Sequence, residues 1–207
     1  EGSGGVWESL GGEDAAGEGV VVGVVDTGIA PEHPSFAGAP LGSAPGDEPY
    51  LEGDDVVFAK ADGDQFRATR VTGQDWGLDD YSTKLIGAKY FSTGAANAGF
   101  DFSHDYLSPR DGDGHGSHTA STAAGNTGVD AAIGGIAFGA VSGVAPAAKV
   151  ASYKACYVGP DPLVTSDDIC ALSDLLDAID TAVNDGVDVI NYSIGGGSAT
   201  SVLQPDD

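Results

Sequence analysis

Val20-Val21-Val22-Gly23-Val24-Val25-Asp26-Thr27-Gly28-Ile29 is a continuous apolar run closed by an acid. Residues 20–25 are too few for a stable helix. A continuous apolar run rich in valine suits a strand buried on both faces, as in a parallel sheet. Working outward, residues 149–153 read as a second short strand after the turn Gly143-Val144-Ala145-Pro146, and residues 84–91 as a third. Residues 167–184 form the clearest helix. Leu172, Leu175, Leu176, Ile179, Ala182 and Val183 make one apolar stripe, with Asp174, Asp177 and Asp180 on the wet side. Thr165 or Ser166 can cap its start, Asp167 and Asp168 complement its dipole, and Gly186 stops it before a strand at 187–194. Strand, helix, strand in this order predicts βαβ units: an α/β fold in three layers, a mostly parallel sheet flanked by helices.

The remaining chain is organised around that frame. Residues 1–18 are rich in Gly and Glu with one aromatic, Trp7, and read as an arm over the surface of a domain at 19–207. Residues 31–83 are a polar insertion too long for one loop, so short ordered pieces are expected inside it. Its 207 residues suffice for one sizeable domain, with 8 Lys+Arg against 32 Asp+Glu and a net charge of -24. That charge repels phosphate and argues against nucleic-acid binding. It suits a secreted or salt-adapted protein, or an acidic lineage bias. No run reaches the roughly 18 apolar residues of a membrane span. The chain begins at Glu1 without a basic-then-apolar leader, which points to a processed or trimmed product.

The chemistry centres on two segments. A carboxylate at the carboxyl end of a buried parallel strand, Asp26, sits where open α/β sheets place ligands. Thr27-Gly28 can turn the chain and offer it hydrogen bonds; the plainer role is an acid capping the next turn. The second segment is Ser108-Pro109-Arg110-Asp111-Gly112-Asp113-Gly114-His115-Gly116-Ser117-His118-Thr119-Ala120-Ser121. His115 lies between two glycines at the start of a small-residue helix predicted at 115–124. The dipole there disfavours the imidazolium while Asp26 favours it, so the group suits a general base near neutral pH. An acid and a histidine so placed are two members of a Ser-His-Asp triad; no Gly-x-Ser-x-Ala or Gly-x-Ser-x-Gly segment follows to supply the third. His115 and His118, with His104, Asp111 and Asp113 nearby, make a metal site the rival reading. Zinc wants three or four converging ligands, so no metal is assigned and His118 is read as a buried structural residue. The last segment, Asn191-Tyr192-Ser193-Ile194-Gly195-Gly196-Gly197, ends a strand beside Asp26, where exposed backbone can pair with an extended peptide. Its Asn191-Tyr192-Ser193 sequon is discounted because the asparagine is expected within a buried strand.

Together these pieces resemble the subtilisin-like serine proteases, the subtilases. Val24-Val25-Asp26-Thr27-Gly28-Ile29 looks like the family's Asp motif. Gly114-His115-Gly116-Ser117-His118-Thr119-Ala120 looks like its His motif, with Ser117 where Thr is commoner. Gly143-Val144-Ala145-Pro146 and Asp188-Val189-Ile190-Asn191-Tyr192-Ser193-Ile194-Gly195-Gly196 match further segments. Gly5-Val6-Trp7-Glu8-Ser9, residues 84–91 and Tyr153-Lys154-Ala155-Cys156 resemble the cucumisin-like or pyrolysin-like branch. The resemblance implies that Asp26 orients His115 and that His115 is the general base. It implies that Ser193, Ile194 and Gly195 bind substrate backbone and line the first specificity pocket, with Tyr153 near the opposing segment. It also implies that Cys156 and Cys170 form a disulfide, two buried free thiols being the alternative, and that the protein is extracellular. No cofactor is required; structural calcium is left open. The expected partners are polypeptide substrates and the remaining C-terminal part of the same catalytic domain, because serine, oxyanion asparagine and later strands are expected beyond Asp207. On that reading the sheet is incomplete at its C-terminal side and this chain alone is inactive. A non-catalytic module that binds peptides or regulates an intact protease is the alternative.

Overall fold

The computed structural model describes residues 5–46, 48–161, 164 and 167–195. The elements run α1 Val6–Ser9, β1 Val21–Asp26, β2 Tyr50–Glu52, β3 Asp55–Ala59, β4 Gln65–Thr69, β5 Leu85–Tyr90 and α2 Thr93–Asn97. They continue with α3 His115–Ala124, β6 Val129–Ile133, β7 Ile136–Val141, β8 Lys149–Lys154, β9 Cys156–Tyr157, β10 Ile169–Cys170, α4 Leu172–Asp185 and β11 Val189–Tyr192.

The valine run forms β1, buried along its whole length. It is central because β8 and β11 pair with it on either side, both parallel, giving the sheet order β11-β1-β8-β5. Side chains alternate across a strand, so β1 feeds two cores. Val21 and Val25 pack with Ile86, Ala151, Tyr153 and, from α4, Leu175, Ala178 and Ala182. Val22 and Val24 pack on the other face with Leu85, Val150 and, from α3, Ala120 and Ala124. Helices on both faces make the expected three-layer α/β arrangement. The pieces anticipated in the 31–83 insertion are an antiparallel sheet, β2-β3-β4, whose Val56, Phe58, Phe66 and Ala68 join the α4-side core.

Several details differ from the sequence reading. The helix expected from 167 begins at Leu172, because Ile169–Cys170 pairs with Cys156–Tyr157 as a short hairpin; the proposed caps Thr165 and Ser166 lie outside the described residues. Its apolar stripe splits. Leu175, Ala178 and Ala182 face the sheet, whereas Leu172, Leu176 and Val183 are exposed. Asp174, assigned to the wet side, is buried and accepts from Gly94 N at 2.6 Å and Ala95 N at 2.9 Å, tying α4 to α2. Gly186 ends the helix in a left-handed conformation (φ 89°), as anticipated. Trp7 anchors the arm through its indole N–H, which donates to Val144 O at 2.7 Å. The β6–β7 hairpin was not anticipated. Gly134 and Gly135, both at positive φ, make its two-residue turn, a signal that was present in the sequence.

One ion pair crosses the core. Lys154 Nζ lies 2.6 Å from Asp105 Oδ1, both side chains wholly buried, and also donates to Arg110 O at 2.8 Å. Burial pushes the Lys154 amine below its usual range, while Asp105 opposes that shift. Removing one partner strands the other charge in a low-dielectric interior. Lys154→Met is therefore expected to destabilise the protein by about 3–5 kcal/mol, read from the urea midpoint.

Candidate active site

The parallel topology brings three segments to one edge of the sheet. Asp26 closes β1, Val25 pairs with Tyr192 of β11, and Asp26 pairs with Lys154 at the end of β8. Residues 193–195 and Cys156–Tyr157 therefore leave the sheet on either side of Asp26. Helix α3 starts above it because Gly116 and Gly28 almost touch. A Cβ at Gly116 would meet Gly28 O at 2.3 Å, and one at Gly28, whose φ is 120°, would meet Pro109 O at 2.6 Å. The missing side chain at Gly116 thus lets the helix start rest directly on the strand end, and that at Gly28 admits the Pro109–Arg110 backbone beside it.

That approach sets the central contact. His115 Nδ1 is 2.7 Å from Asp26 Oδ1. A carboxylate only accepts, so Nδ1 carries the proton in this pair, and in the neutral ring Nε2 is the acceptor. Among the described residues Nε2 has no hydrogen-bond partner. Asp26 is 1% exposed. Its Oδ1 also accepts from Thr27 N at 2.7 Å, and its Oδ2 lies 3.2 Å from the Thr119 hydroxyl. The His115 side chain is about half exposed, 47%. The hydrogen bond to Asp26 raises the imidazole pKa above its ordinary value; partial burial works against this, and the charges of Asp26, Asp113 and Asp111 add to it.

His115 and Asp26 open onto a cleft of about 690 Å³. Ser193, Ile194 and Gly195 line one side, and Cys156, Tyr157 and Cys170 line another. Cys156 and Cys170 are joined as a disulfide across the β9–β10 hairpin. Tyr153 does not line the cleft. Its side chain is buried in the α4-side core, where its hydroxyl donates to Asp185 Oδ2 at 3.0 Å; Tyr157, three residues past the end of β8, borders the cleft instead. Gly196 and Gly197 lie outside the described residues.

Helix α3 spans His115–Ala124 as anticipated, but His118 is exposed rather than buried. The buried face of α3 is Gly116, Ala120 and Ala124, spaced by four, and His118 falls about 200° around from Gly116. Among the described residues no group of three or more His, Cys, Asp or Glu side chains is arranged to hold a metal. Asn191 lies in β11 but is only half buried, because no described strand pairs with the outer edge of β11. Sequence reasoning missed Thr119 and the cleft-lining Tyr157, Asp113 and Asp168. Thr119 follows His115 by four, one helical turn, and that spacing was the available signal.

A buried acid orienting an imidazole beside an open strand end is an arrangement that recurs on unrelated folds, so relatives decide the family. The sequence model of the Subtilase family matches residues 17–205. Subtilisin-like protease SBT2.2 of Arabidopsis thaliana is 40% identical over 191 residues, covering 92% of this chain and 20% of that protein. Subtilisin-like proteases SBT2.6 and SBT1.6 of the same plant are 40% and 39% identical over 98% and 93% of the chain, which matches 23% and 22% of their lengths. The chain thus spans about a fifth of the curated relatives it matches. No described helix is long and apolar enough to cross a membrane. With the family match running from before β1 to beyond β11, the chain belongs to the subtilase family.

Proposed function

We propose that this chain forms the N-terminal part of the catalytic domain, residues 19–207 with residues 1–18 as its arm, of an extracellular serine endopeptidase. The observation that carries the reading is the 2.7 Å contact between His115 Nδ1 and Asp26 Oδ1 at the cleft. In the proposed reaction Asp26 holds His115 in the tautomer with Nε2 unprotonated. Nε2 then takes the proton of a serine hydroxyl as that oxygen attacks a peptide carbonyl, and returns it to the leaving amine. The serine and the oxyanion donor belong to the longer protein, consistent with relatives roughly five times this length. Without them the covalent route is closed, so residues 1–207 alone are inactive.

Ser193, Ile194 and Gly195 serve as the segment against which substrate backbone lies, and they bound the first specificity pocket. Support comes from their place on the cleft and from the parallel pairing of β11 with β1. The partners in this reading are polypeptide substrates and the rest of the catalytic domain, with no cofactor in the chemistry. The disulfide fits an oxidising exterior.

Two outcomes test the reading. In the full-length protein, a fluorophosphonate probe is expected to label one serine beyond Asp207, and His115→Ala to abolish that labelling. No adduct on folded full-length protein would leave a non-catalytic peptide-binding module. The second outcome concerns protons. His115 is a base only when neutral, and the hydrogen bond to Asp26 raises its folded pKa above the ordinary imidazole value. The raised pKa adds stability that is fully present below the unfolded value and lost as pH rises through the folded one. An NMR titration should therefore find the His115 imidazole titrating above its ordinary range, and Asp26→Asn should lower that value.

A further inference from the structure

Asp111 lies under the start of α3, between the loop that leaves β1 and the helix carrying His115. Its carboxylate accepts five hydrogen bonds. Oδ1 takes the Thr27 hydroxyl at 2.9 Å, Asp113 N at 3.1 Å and Gly114 N at 2.8 Å. Oδ2 takes Ser117 N at 2.9 Å and the Ser117 hydroxyl at 2.6 Å. Ser117 Oγ in turn accepts from Ala30 N at 3.0 Å. Burial alone would raise the Asp111 pKa, but the bonds from Ser117, Gly114 and Thr27 outweigh it and hold the carboxyl below its usual range.

Thr27 is the link to the reacting pair. Its hydroxyl proton goes to Asp111, so its oxygen lone pairs remain to accept from Gly116 N at 2.8 Å. Its backbone N–H donates to Asp26 Oδ1, the same oxygen that faces His115. One residue therefore grips the acid and the peptide beside the histidine, and Asp111 fixes its rotamer. The geometry points to Asp111 as the positioning residue of the His115–Asp26 pair, acting through Thr27 and Ser117 without touching substrate. This rests on the protease reading.

An asparagine of the same size cannot replace it. Every partner that Asp111 meets through its carboxylate is a donor, so either flip of an amide would set an NH2 against a backbone N–H, from Ser117 or from Gly114 and Asp113. The lost charge matters too. His115 is faced by Asp26 from β1 and by Asp113 and Asp111 from the loop before α3; Tyr157, Asp168 and Tyr192 border the same cleft. Removing one of three nearby negative charges weakens the imidazolium.

The test uses the active full-length protease. Asp111→Asn is expected to lower kcat by about a hundredfold, as a small misplacement of reacting groups does, with KM unchanged and the acid limb of the kcat/KM profile moved to lower pH. Thr27→Val, which cuts the link but keeps every charge, should lower kcat without moving that limb, and Thr27→Ser should restore it. A wild-type kcat and acid limb in Asp111→Asn, with only a lower Tm, would overturn the assignment. If that variant does not fold, the Thr27 pair carries the test, and a Thr27→Val enzyme as active as wild type would overturn it. An inactive wild-type protein would instead count against the protease reading itself.

Discussion

The backbone at Gly116 must come so close to that of Gly28 that Gly116 tolerates no side chain, while Gly28 itself is packed against the Pro109–Arg110 backbone. Most of the site follows from that approach. Asp26 and His115 are 89 residues apart, and their side chains meet where the strand end and the helix start lie against one another. With the glycines in place, the helix start rests on the strand end and the 2.7 Å contact forms with Asp26 almost wholly shielded from water. A methyl group at Gly116 would have to displace backbone rather than a flexible side-chain tip. The small residues on the buried face of α3, Ala120 and Ala124, extend the same constraint along the helix. They keep it near the sheet over its whole length, at the cost of the greater apolar area that leucines would bury.

Closeness creates an electrostatic problem that the site solves with oriented donors. A carboxylate so far from water needs hydrogen bonds in place of its hydration. Asp26 receives them from Thr27 N, His115 Nδ1 and, more distantly, the Thr119 hydroxyl. Asp105 shows the other solution in the same neighbourhood, an ammonium in direct contact. The difference has a chemical meaning. A permanent cation on Asp26 would compete with the imidazolium for its charge, whereas neutral donors leave that charge to act on His115. The Asp105–Lys154 pair stays one step away and serves instead to hold the Arg110 carbonyl, next to Asp111.

What could be read from sequence was what depends on local pattern. The valine run of β1, the small-residue helix after Gly114 and the stop at Gly186 each carry their signal within a few residues. Asp26 and His115 were legible because strand end and helix start constrain where such side chains point. What escaped depended on contacts between distant segments. Asp174 looks like one more acid on a wet face until α2 presents two free N–H groups to it. Tyr153 looks like a cleft residue by its position in the chain, yet strand alternation turns its ring into the core beside Val25. Asp111 drew notice as a possible metal ligand rather than as an acceptor, because the donor that links it to Asp26, the Thr27 hydroxyl, comes from 84 residues away.

The parallel sheet explains why so few strands suffice to build the cleft. In an antiparallel arrangement neighbouring strands would end at opposite edges, and Asp26 would be left without flanking segments. Here β1, β8 and β11 all run the same way, so Asp26, the Cys156–Tyr157 hairpin and Ser193–Gly195 emerge together. The carboxylate that holds the His115 imidazole and two walls of the cleft are thus successive products of one topological choice. The disulfide between Cys156 and Cys170 closes the loop following β8 upon itself. That tether holds one wall by covalent connection, while the other is held by the β11–β1 ladder. The rim of the cleft is thus fixed on both sides, and beside it lies His115 Nε2, which has no hydrogen-bond partner among the described residues.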